Sequence, residues 1–394
     1  MHMNNRSVRI SVIMTHMATF FYSCLYLLTA NAQATIDAGP DEALIYERPV
    51  QEQRDWRRSD ESLLWNFHNM YQPCVIEIQD DAYPYRMWFF GWATADGNPD
   101  IPGCDAIYHA RSSDLAHWEV WCGNDQWDTE MEPAAWAPVL AASDRYYDAW
   151  HNGDPSVVYH DGRYYMAYSA TSKPYYKKSH DHLDGQLLCI MGAVSDNGIH
   201  WQKTEQPLLI ESDVAKYAET TDEHICDFHR PSLMRHEGKW KLWFDYWNHP
   251  GGVCMGYAEN TGAFGDADGF QIKHDLKKAP LIKNWPNPDI VIIDGKYHAF
   301  ADPVGYPPTD TRSDSSRLWS SRALCEAVSD DGLHWRIVGY IPPDQDTAAC
   351  HVPQALVTTI AGERRLYLFY ATQRGGGPVY DFRYDRIRAI WRSL

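Results

Sequence analysis

Hydrophobic positions along the chain recur in short runs of period two, and these runs belong to a unit that occurs five times. The second unit, residues 151–170, reads HNGDPSVVYHDGRYYMAYSA: a proline, an apolar run, an Asp-Gly turn and an aromatic-rich run. Alternating runs on both sides of a tight Asp-Gly turn predict a β-hairpin. Related units surround Pro73, Pro231, Pro288 and Pro353.

A second element follows most of the hairpins. It reads YHARSSDLAHW over residues 108–118, MGAVSDNGIHW over 191–201 and CEAVSDDGLHW over 325–335, with a weaker copy over 255–270. We interpret it as a third strand, a turn and a tryptophan that leads into a fourth strand. The acidic residue of such a turn usually accepts backbone N–H groups, and the tryptophan packs between sheets, so we expect both to be structural.

Five copies of a four-stranded unit predict an all-β fold, a five-bladed β-propeller over residues 65–394. Residues 33–64 form an N-terminal segment, in which the stretch from Glu52 to Asn66 is expected to form one short helix. A strand from the N-terminal part is expected to pair with the last blade and close the ring. The Pro- and Trp-rich insert at 122–150 is long for a turn, and such insertions often line a binding rim.

The first 32 residues have the features of a secretory signal. Arg6 and Arg9 precede an apolar stretch, and Ala30-Asn31-Ala32 has the form of a cleavage site, so we expect export with cleavage near Ala32. A single membrane anchor is the alternative, whereas no later segment is apolar for long enough to span a bilayer. The formal net charge of −18 becomes −20 when these two arginines are removed. So acidic a chain is not expected to bind nucleic acid.

The cysteine count leaves two possibilities open. Nine cysteines become eight once Cys24 is removed with the signal, and an even number in an exported chain permits disulfides. The sequence does not choose among the pairings, and some of the eight are equally compatible with buried thiols.

The residues at the head of each unit are richer in ionisable groups than a packed core requires. In a propeller the first strand of each blade lines the central axis, so these heads converge on one mouth. Asp154 would point its carboxylate into that axial funnel. The candidates at or beside the heads are His68, Trp150, His151, Asp154, Asp227, His229, Arg230, Asp289 and His351.

The pattern over residues 65–390 resembles the five-bladed propeller glycoside hydrolases of families 43, 32 and 68 and the related family 117. In that group an Asp-Pro-Ser strand head carries the general base, which Asp154-Pro155-Ser156 matches. A Pro-Asp head followed by Asp-Gly-Lys-Tyr carries the aspartate that orients the substrate and tunes the acid, which implies this role for Asp289. Families 43 and 32 use a glutamate as acid, whereas His351 stands at the matching position in this chain. The resemblance to family 117 implies that a histidine is the acid.

The resemblance makes Asp154, Asp289 and His351 the expected catalytic residues. A carboxylate such as Asp289 near His351 would favour the imidazolium and raise its pKa. Asp227, His229, Arg230, His151 and His68 are expected to bind substrate, and Trp150 and Trp136, which lie off the repeat, are expected to stack on sugars. Glu130 and Glu132 are reserve acids. No cofactor is expected to be required, although the resemblance allows a structural calcium ion.

We therefore expect an exported glycoside hydrolase that degrades plant or algal oligosaccharides or polysaccharides, with inversion at the reacting carbon. One alternative is a glycoside phosphorylase of the mannoside-phosphorylase type, which would need several basic residues at the mouth, where Arg230 alone stands out. The other is a non-catalytic sugar-binding propeller, which would not need the carboxylates. The sugar, the linkage and the oligomeric state stay open.

Overall fold

The computed structural model describes thirteen stretches of the chain, and every structural statement below refers to them. They are residues 51–58, 61–67, 69–79, 82–92, 105–172, 177–179, 182–183, 188–210, 225–248, 252–303, 323–341, 350–372 and 385–394. Secondary structure here is almost entirely β, with one 3-10 turn at Pro133–Ala135 and no α-helix within these stretches. No helix in them is long and apolar enough to cross a membrane.

The strands form one antiparallel sheet per repeat unit, which confirms the five blades. Blade 1 contains β4 (Tyr71–Glu77), β5 (Tyr85–Trp92), β6 (Asp105–Ser112) and β7 (Trp118–Gly123), extended by β8 (Gln126–Asp128) and β9 (Leu140–Ala141). Blade 2 contains β10 (His151–His160), β11 (Arg163–Thr171), β14 (Leu188–Ser195) and β15 (Gln202–Lys203), and a separate hairpin joins β12 (Lys177–Ser179) to β13 (His182–Leu183).

The other three blades follow the same order from the first strand outward. Blade 3 contains β16 (Ile225–His236), β17 (Lys239–Asn248), β18 (Gly252–Asn260), β19 (Gln271–Ile272) and β20 (Ile282–Lys283). Blade 4 contains β21 (Asp289–Ile293), β22 (Lys296–Ala301), β23 (Leu324–Ser329) and β24 (Arg336–Ile341). Blade 5 contains β25 (His351–Ile360), β26 (Glu363–Thr372) and β27 (Arg386–Ser393).

The N-terminal segment closes the ring as short strands. The helix expected from Glu52 to Asn66 is wrong, because this stretch instead forms β1 (Gln51–Glu52), β2 (Arg57–Arg58) and β3 (Leu64–Trp65). β2 and β3 both pair with β27, as the expected closure of the last blade requires, while β1 pairs in parallel with β24 of blade 4. The open edges of two sheets offer backbone partners that a short isolated helix would forgo.

Aromatic and aliphatic side chains fill the spaces between neighbouring blades, where five buried clusters lie. Two tryptophans donate hydrogen bonds from one blade to a turn of the next blade. Trp88 Nε1 donates to the Gly198 carbonyl at 2.9 Å, and Trp243 Nε1 donates to the Gly332 carbonyl at 3.0 Å. The acidic turns are structural, as expected. Asp114, for example, accepts N–H groups through Oδ1 and contacts the His117 ring.

A ring of hydrogen bonds links the five inner strands around the axis. In each blade the residue directly after the strand-head proline accepts, through its side chain, a backbone N–H of the next blade. The donor and acceptor pairs are Val157 to Cys74, Leu233 to Ser156, Ile290 to Ser232, Ala355 to Asp289 and Val75 to Gln354. The ring fixes the register of neighbouring blades and so the positions of the heads above it.

Six cysteines whose side chains the structure describes are free thiols: Cys74, Cys122, Cys189, Cys254, Cys325 and Cys350. All but Cys122 are buried. For these residues, the buried-thiol alternative of the sequence analysis holds.

Candidate active site

The inner strands begin with a distortion at the residue before the strand-head proline. A residue in this position normally has extended backbone, but here all five have φ between 49° and 55°: Gln72, Asp154, Arg230, Asn287 and Val352. In blades 1, 2, 3 and 5 the pairing with the second strand also shifts register there. Bulges of this kind re-aim side chains, and strained backbone clusters at functional sites.

Asp154 is a buried carboxylate at the head of blade 2, with 6% of its surface exposed. Burial raises its pKa, and the neighbouring Arg230 and His229, together with a hydrogen bond from Ser169, oppose that rise without cancelling it. Its Oδ1 atom has no hydrogen-bond partner among the described residues. Because such a buried oxygen is costly to leave unsatisfied, it suits a partner that arrives with a ligand.

Beside Asp154, blade 3 holds a pair formed by His229 and Asp245. Asp245 is fully buried on β17, and its Oδ1 contacts His229 Nδ1. Its Oδ2 lies 3.4 Å from Arg230 Nη1 and accepts the Asn287 N–H at 2.9 Å. Burial would raise the pKa of Asp245, but His229, Arg230 and these hydrogen bonds hold it below its usual value.

The contact between Arg230 and His229 assigns the histidine proton. Arg230 Nη1 lies 3.1 Å from His229 Nε2. Because a guanidinium can only donate, Nε2 accepts and the proton is on Nδ1, facing Asp245. In this arrangement His229 offers no proton from Nε2.

Asn287, at the head of blade 4, joins this pair to a second one. Its N–H donates to Asp245 and its side-chain Nδ2 donates to Asp302 Oδ1. The side chain is 1% exposed, and its Oδ1 has no hydrogen-bond partner within the described part of the chain. A buried amide therefore separates two buried carboxylates.

The second pair is formed by Asp302 and His351, from blades 4 and 5. Asp302 Oδ2 lies 2.6 Å from His351 Nδ1, and both residues are buried. The centroid of the Tyr71 ring of blade 1 lies 5.7 Å from that of the imidazole and 4.2 Å from that of Phe90. With Nδ1 directed at the carboxylate, Nε2 is the nitrogen that can exchange a proton with a ligand.

Sequence reasoning missed both aspartates of these pairs. Asp245 lies two residues beyond Trp243, which pairs with Ser232 of the axial ring. Asp302 likewise lies two residues beyond Phe300, which pairs with Asp289. The two aspartates thus occupy one equivalent position near the end of a second strand. An acidic residue inside an aromatic-rich second strand was the signal that could have revealed them.

Asp289 does not lie where the sequence analysis expected it. It follows its strand-head proline, whereas Asp154 precedes one, so it belongs to the axial ring. Ser232 Oγ donates to its Oδ1 at 3.0 Å and the Ala355 N–H donates to its Oδ2 at 2.7 Å. Burial raises its pKa to about 7, against these hydrogen bonds. The carboxylate in contact with His351 is Asp302, which corrects the expectation that Asp289 has this place.

His151 and Trp150 lie together at the entrance of blade 2. The His151 ring is buried and its Nδ1 contacts Asp105 of blade 1. The half-buried Trp150 ring packs edge-on against it, with ring centroids 6.3 Å apart. Both expected substrate-binding residues therefore lie at the head of the strand that carries Asp154.

The residues expected from the insert do not reach the strand heads. Trp136 is buried in the core against Phe67 and Phe89, and its Nε1 donates to Asp128, so it presents no ring face for stacking. Glu130 and Glu132 are exposed, just beyond β8 at the edge of blade 1. The expected stacking role of Trp136 is therefore corrected.

Two further expected site residues lie outside what the structure describes. His68 falls outside the described residues altogether. Asp227 belongs to β16, but its side chain is outside the described part of the chain. For calcium, the described residues contain no group of three or more histidine, cysteine or acidic side chains that could hold a metal ion.

The fold resembles that of solved glycoside hydrolases. A thermostable family-43 glycoside hydrolase is 14% identical, with a TM-score of 0.54 over 84% of this chain and 91% of its own. A β-xylosidase is 12% identical, with 0.53 over 85% and 94%. A family 117 glycoside hydrolase from the marine bacterium Zobellia galactanivorans is 13% identical, with 0.53 over 86% and 90%. Searches of family models and of curated proteins give no match.

Proposed function

We propose that this chain is a glycoside hydrolase in which Asp154 is the general base and His351 is the general acid. The observation that carries the proposal is the Asp154 carboxylate, which is buried at a distorted strand head with one oxygen lacking a partner among the described residues. Folding alone does not require such a group. The fold shared with family 43 and family 117 hydrolases supports the same chemistry.

Asp154 would activate the water that attacks the anomeric carbon. A base must be ionised to accept a proton, and the cation of Arg230 lowers the pKa of Asp154 against the effect of burial. The raised pKa that remains makes the carboxylate a stronger base than an exposed aspartate. Where Asp154 is ionised, the shift therefore favours proton transfer from water.

His351 would protonate the leaving glycosidic oxygen. Its Nδ1 is directed at Asp302, so its Nε2 is the nitrogen available for transfer. His229 is less suited, because its Nε2 accepts from Arg230. Asp154 and His351 stand on blades 2 and 5, on either side of blade 1. Separation across a funnel leaves room for water, and we therefore propose inversion.

The substrate would be an oligosaccharide of plant or algal origin. The β-xylosidase and the family 117 enzyme supply the analogy for this class. Export after cleavage near Ala32 belongs to the same proposal. Arg230 already contacts Asp245 and His229, so it offers little free charge for a phosphate, which weighs against the phosphorylase alternative.

The test uses the mature chain, residues 33–394, and its Asp154→Asn variant on a panel of plant and red-algal oligosaccharides. We expect sugar release by the wild type and a loss of about 10³-fold in kcat in the variant, with binding retained. Turnover that requires phosphate would favour the phosphorylase. Binding without turnover in both proteins would refute a hydrolase and favour a sugar-binding propeller.

A further inference from the structure

The pair of Asp302 and His351 contains a residue with no role in the chemistry as proposed so far. Asp302 is fully buried, contacts His351 through Oδ2 and receives the Asn287 amide on Oδ1. Both oxygens are thus held by groups from the heads of two blades. A carboxylate fixed in this way can fix a neighbouring imidazole in turn.

We propose that Asp302 is a positioning residue for His351: it holds the proton on Nδ1, sets the direction of Nε2 and stabilises the imidazolium. This inference rests on the proposed function. The protonated ring gives its Nε2 proton to the glycosidic oxygen as the carbon–oxygen bond breaks and its electron pair passes to that oxygen. Water bonds to the anomeric carbon and gives a proton to Asp154. Exchange with solvent restores both groups.

Asp302 is the carboxylate that the described part of the chain places against the His351 ring. From blade 1 the ring faces the Tyr71 phenol. From blade 4 it faces Asp302, and behind that carboxylate lies the Cys325 thiol, whose pKa is raised by burial first and by Asp302 second, so it is uncharged. A carboxylate next to an imidazole favours the charged ring.

Blade 4 also provides a matched pair away from the heads. His298 Nδ1 lies 2.7 Å from Glu326 Oε1, and Glu326 is buried as deeply as a carboxylate in the funnel, with 2% of its surface exposed. Arg392 and Gln53 also bind Glu326, so this pair ties the blade to the ring closure. Glu326→Gln therefore removes a buried histidine partner without touching the funnel.

The main experiment compares the wild type, Asp302→Asn, His351→Gln and the double variant. Each is assayed on the oligosaccharide identified with Asp154→Asn and on a 2,4-dinitrophenyl glycoside of the same sugar, whose leaving group needs no acid. We expect Asp302→Asn to lose about 10²-fold or more on the oligosaccharide and less than about tenfold on the activated glycoside. The alkaline limb of the pH–activity profile of Asp302→Asn should move to lower pH. The double variant should lose no more activity than His351→Gln does.

Equal losses on both substrates, or losses that add in the double variant, would overturn the positioning role. So would an alkaline limb moved equally by Glu326→Gln. If the wild type hydrolyses and Asp154→Asn does not, but Asp302→Asn matches the wild type, the inference fails while the proposed function stands. If no protein hydrolyses any substrate, the proposed function fails.

A second measurement needs no substrate. With ¹⁵N-labelled histidine, the His351 signals are assigned by their loss in His351→Gln. We expect the wild-type His351 ring to carry its proton on Nδ1 when it is neutral. Its titration midpoint should move to lower pH in Asp302→Asn and should not move in Glu326→Gln. An unchanged His351 titration in Asp302→Asn would refute the inference independently of any assay.

Discussion

Two of the histidine–aspartate pairs at the strand heads, unlike the pair of His151 and Asp105, have aspartates at equivalent positions in blades 3 and 4. In blade 3, His229 and Asp245 belong to one blade and share a permanent cation, Arg230. The other pair joins Asp302 of blade 4 to His351 of blade 5, and the Asn287 side-chain amide donates to Asp302. One scaffold position thus gives two electrostatic environments.

The difference lies in what can gain or lose a proton. Next to Arg230, Asp245 has a lowered pKa and His229 Nε2 is held as an acceptor, so this histidine has no Nε2 proton to give. His351 directs Nδ1 at Asp302, so Nε2 is the nitrogen through which it would exchange a proton. Under the proposed function, the base side of the funnel lies on blades 2 and 3 and the acid side on blades 4 and 5.

The largest expected effect separates the two histidines. His351→Gln should lose about 10²–10⁴-fold in kcat/KM on an oligosaccharide, because no acid then protonates the leaving oxygen. We expect His229→Gln to lose much less and to act mainly through the base. His334→Gln, which removes an exposed ring bound to Asp331, controls for loss of a histidine as such. Equal losses at positions 229 and 351 would break the comparison.

Arg230 tests the base side. Arg230→Met removes a charge that lowers the pKa of Asp154, so that pKa should rise and the acid limb of kcat/KM should move to higher pH. If the pKa of Asp154 rises by one unit, kcat/KM should fall about tenfold at pH values on the acid limb and change little near pH 8. Arg230→Lys keeps the charge and should keep the limb. An alkaline limb moved by Arg230→Met would contradict the assignment of sides.

The smallest effect concerns Asp289, which lies outside both pairs. Its pKa of about 7 in the folded state exceeds the ordinary 3.8, so between these values the folded chain binds more protons than the unfolded one. Stability from this group is complete below pH 3.8 and is lost as the pH rises through 7. Asp289→Asn should therefore flatten the decline in Tm between pH 4 and 8, by on the order of 2–4 °C.

Thermal melts across that range measure the effect, with Asp268→Asn in an exposed turn as the control. If Asp289→Asn leaves the slope of Tm against pH as it is in the wild type, the carboxylate does not titrate in the axial ring. A collapse of activity with no change in that slope would return Asp289 to the catalytic residues.

Much of the blade architecture could be predicted because its signals are local. The Asp161-Gly162 turn has φ values of 50° and 79°, as a two-residue hairpin requires, and the runs on either side pair as β10 and β11. The N-terminal stretch was misread as a helix, because its short strands are held by the edges of β24 and β27 and not by their own sequence. Trp136 was misplaced for a similar reason: its burial depends on Phe67, which precedes blade 1, and on Phe89 of blade 1.

By itself the sequence determined the repeat, the hairpins and the head at Asp154, since period, turn chemistry and a strand-head proline act within a few residues. Only the tertiary structure decided which carboxylate meets which histidine. Asp302 and His351 are 49 residues apart and touch across a blade boundary. Asp289, which belongs to the motif expected at the site, instead accepts a backbone N–H in the axial ring. Closing five twisted sheets into a ring sets these contacts, and no local pattern encodes them.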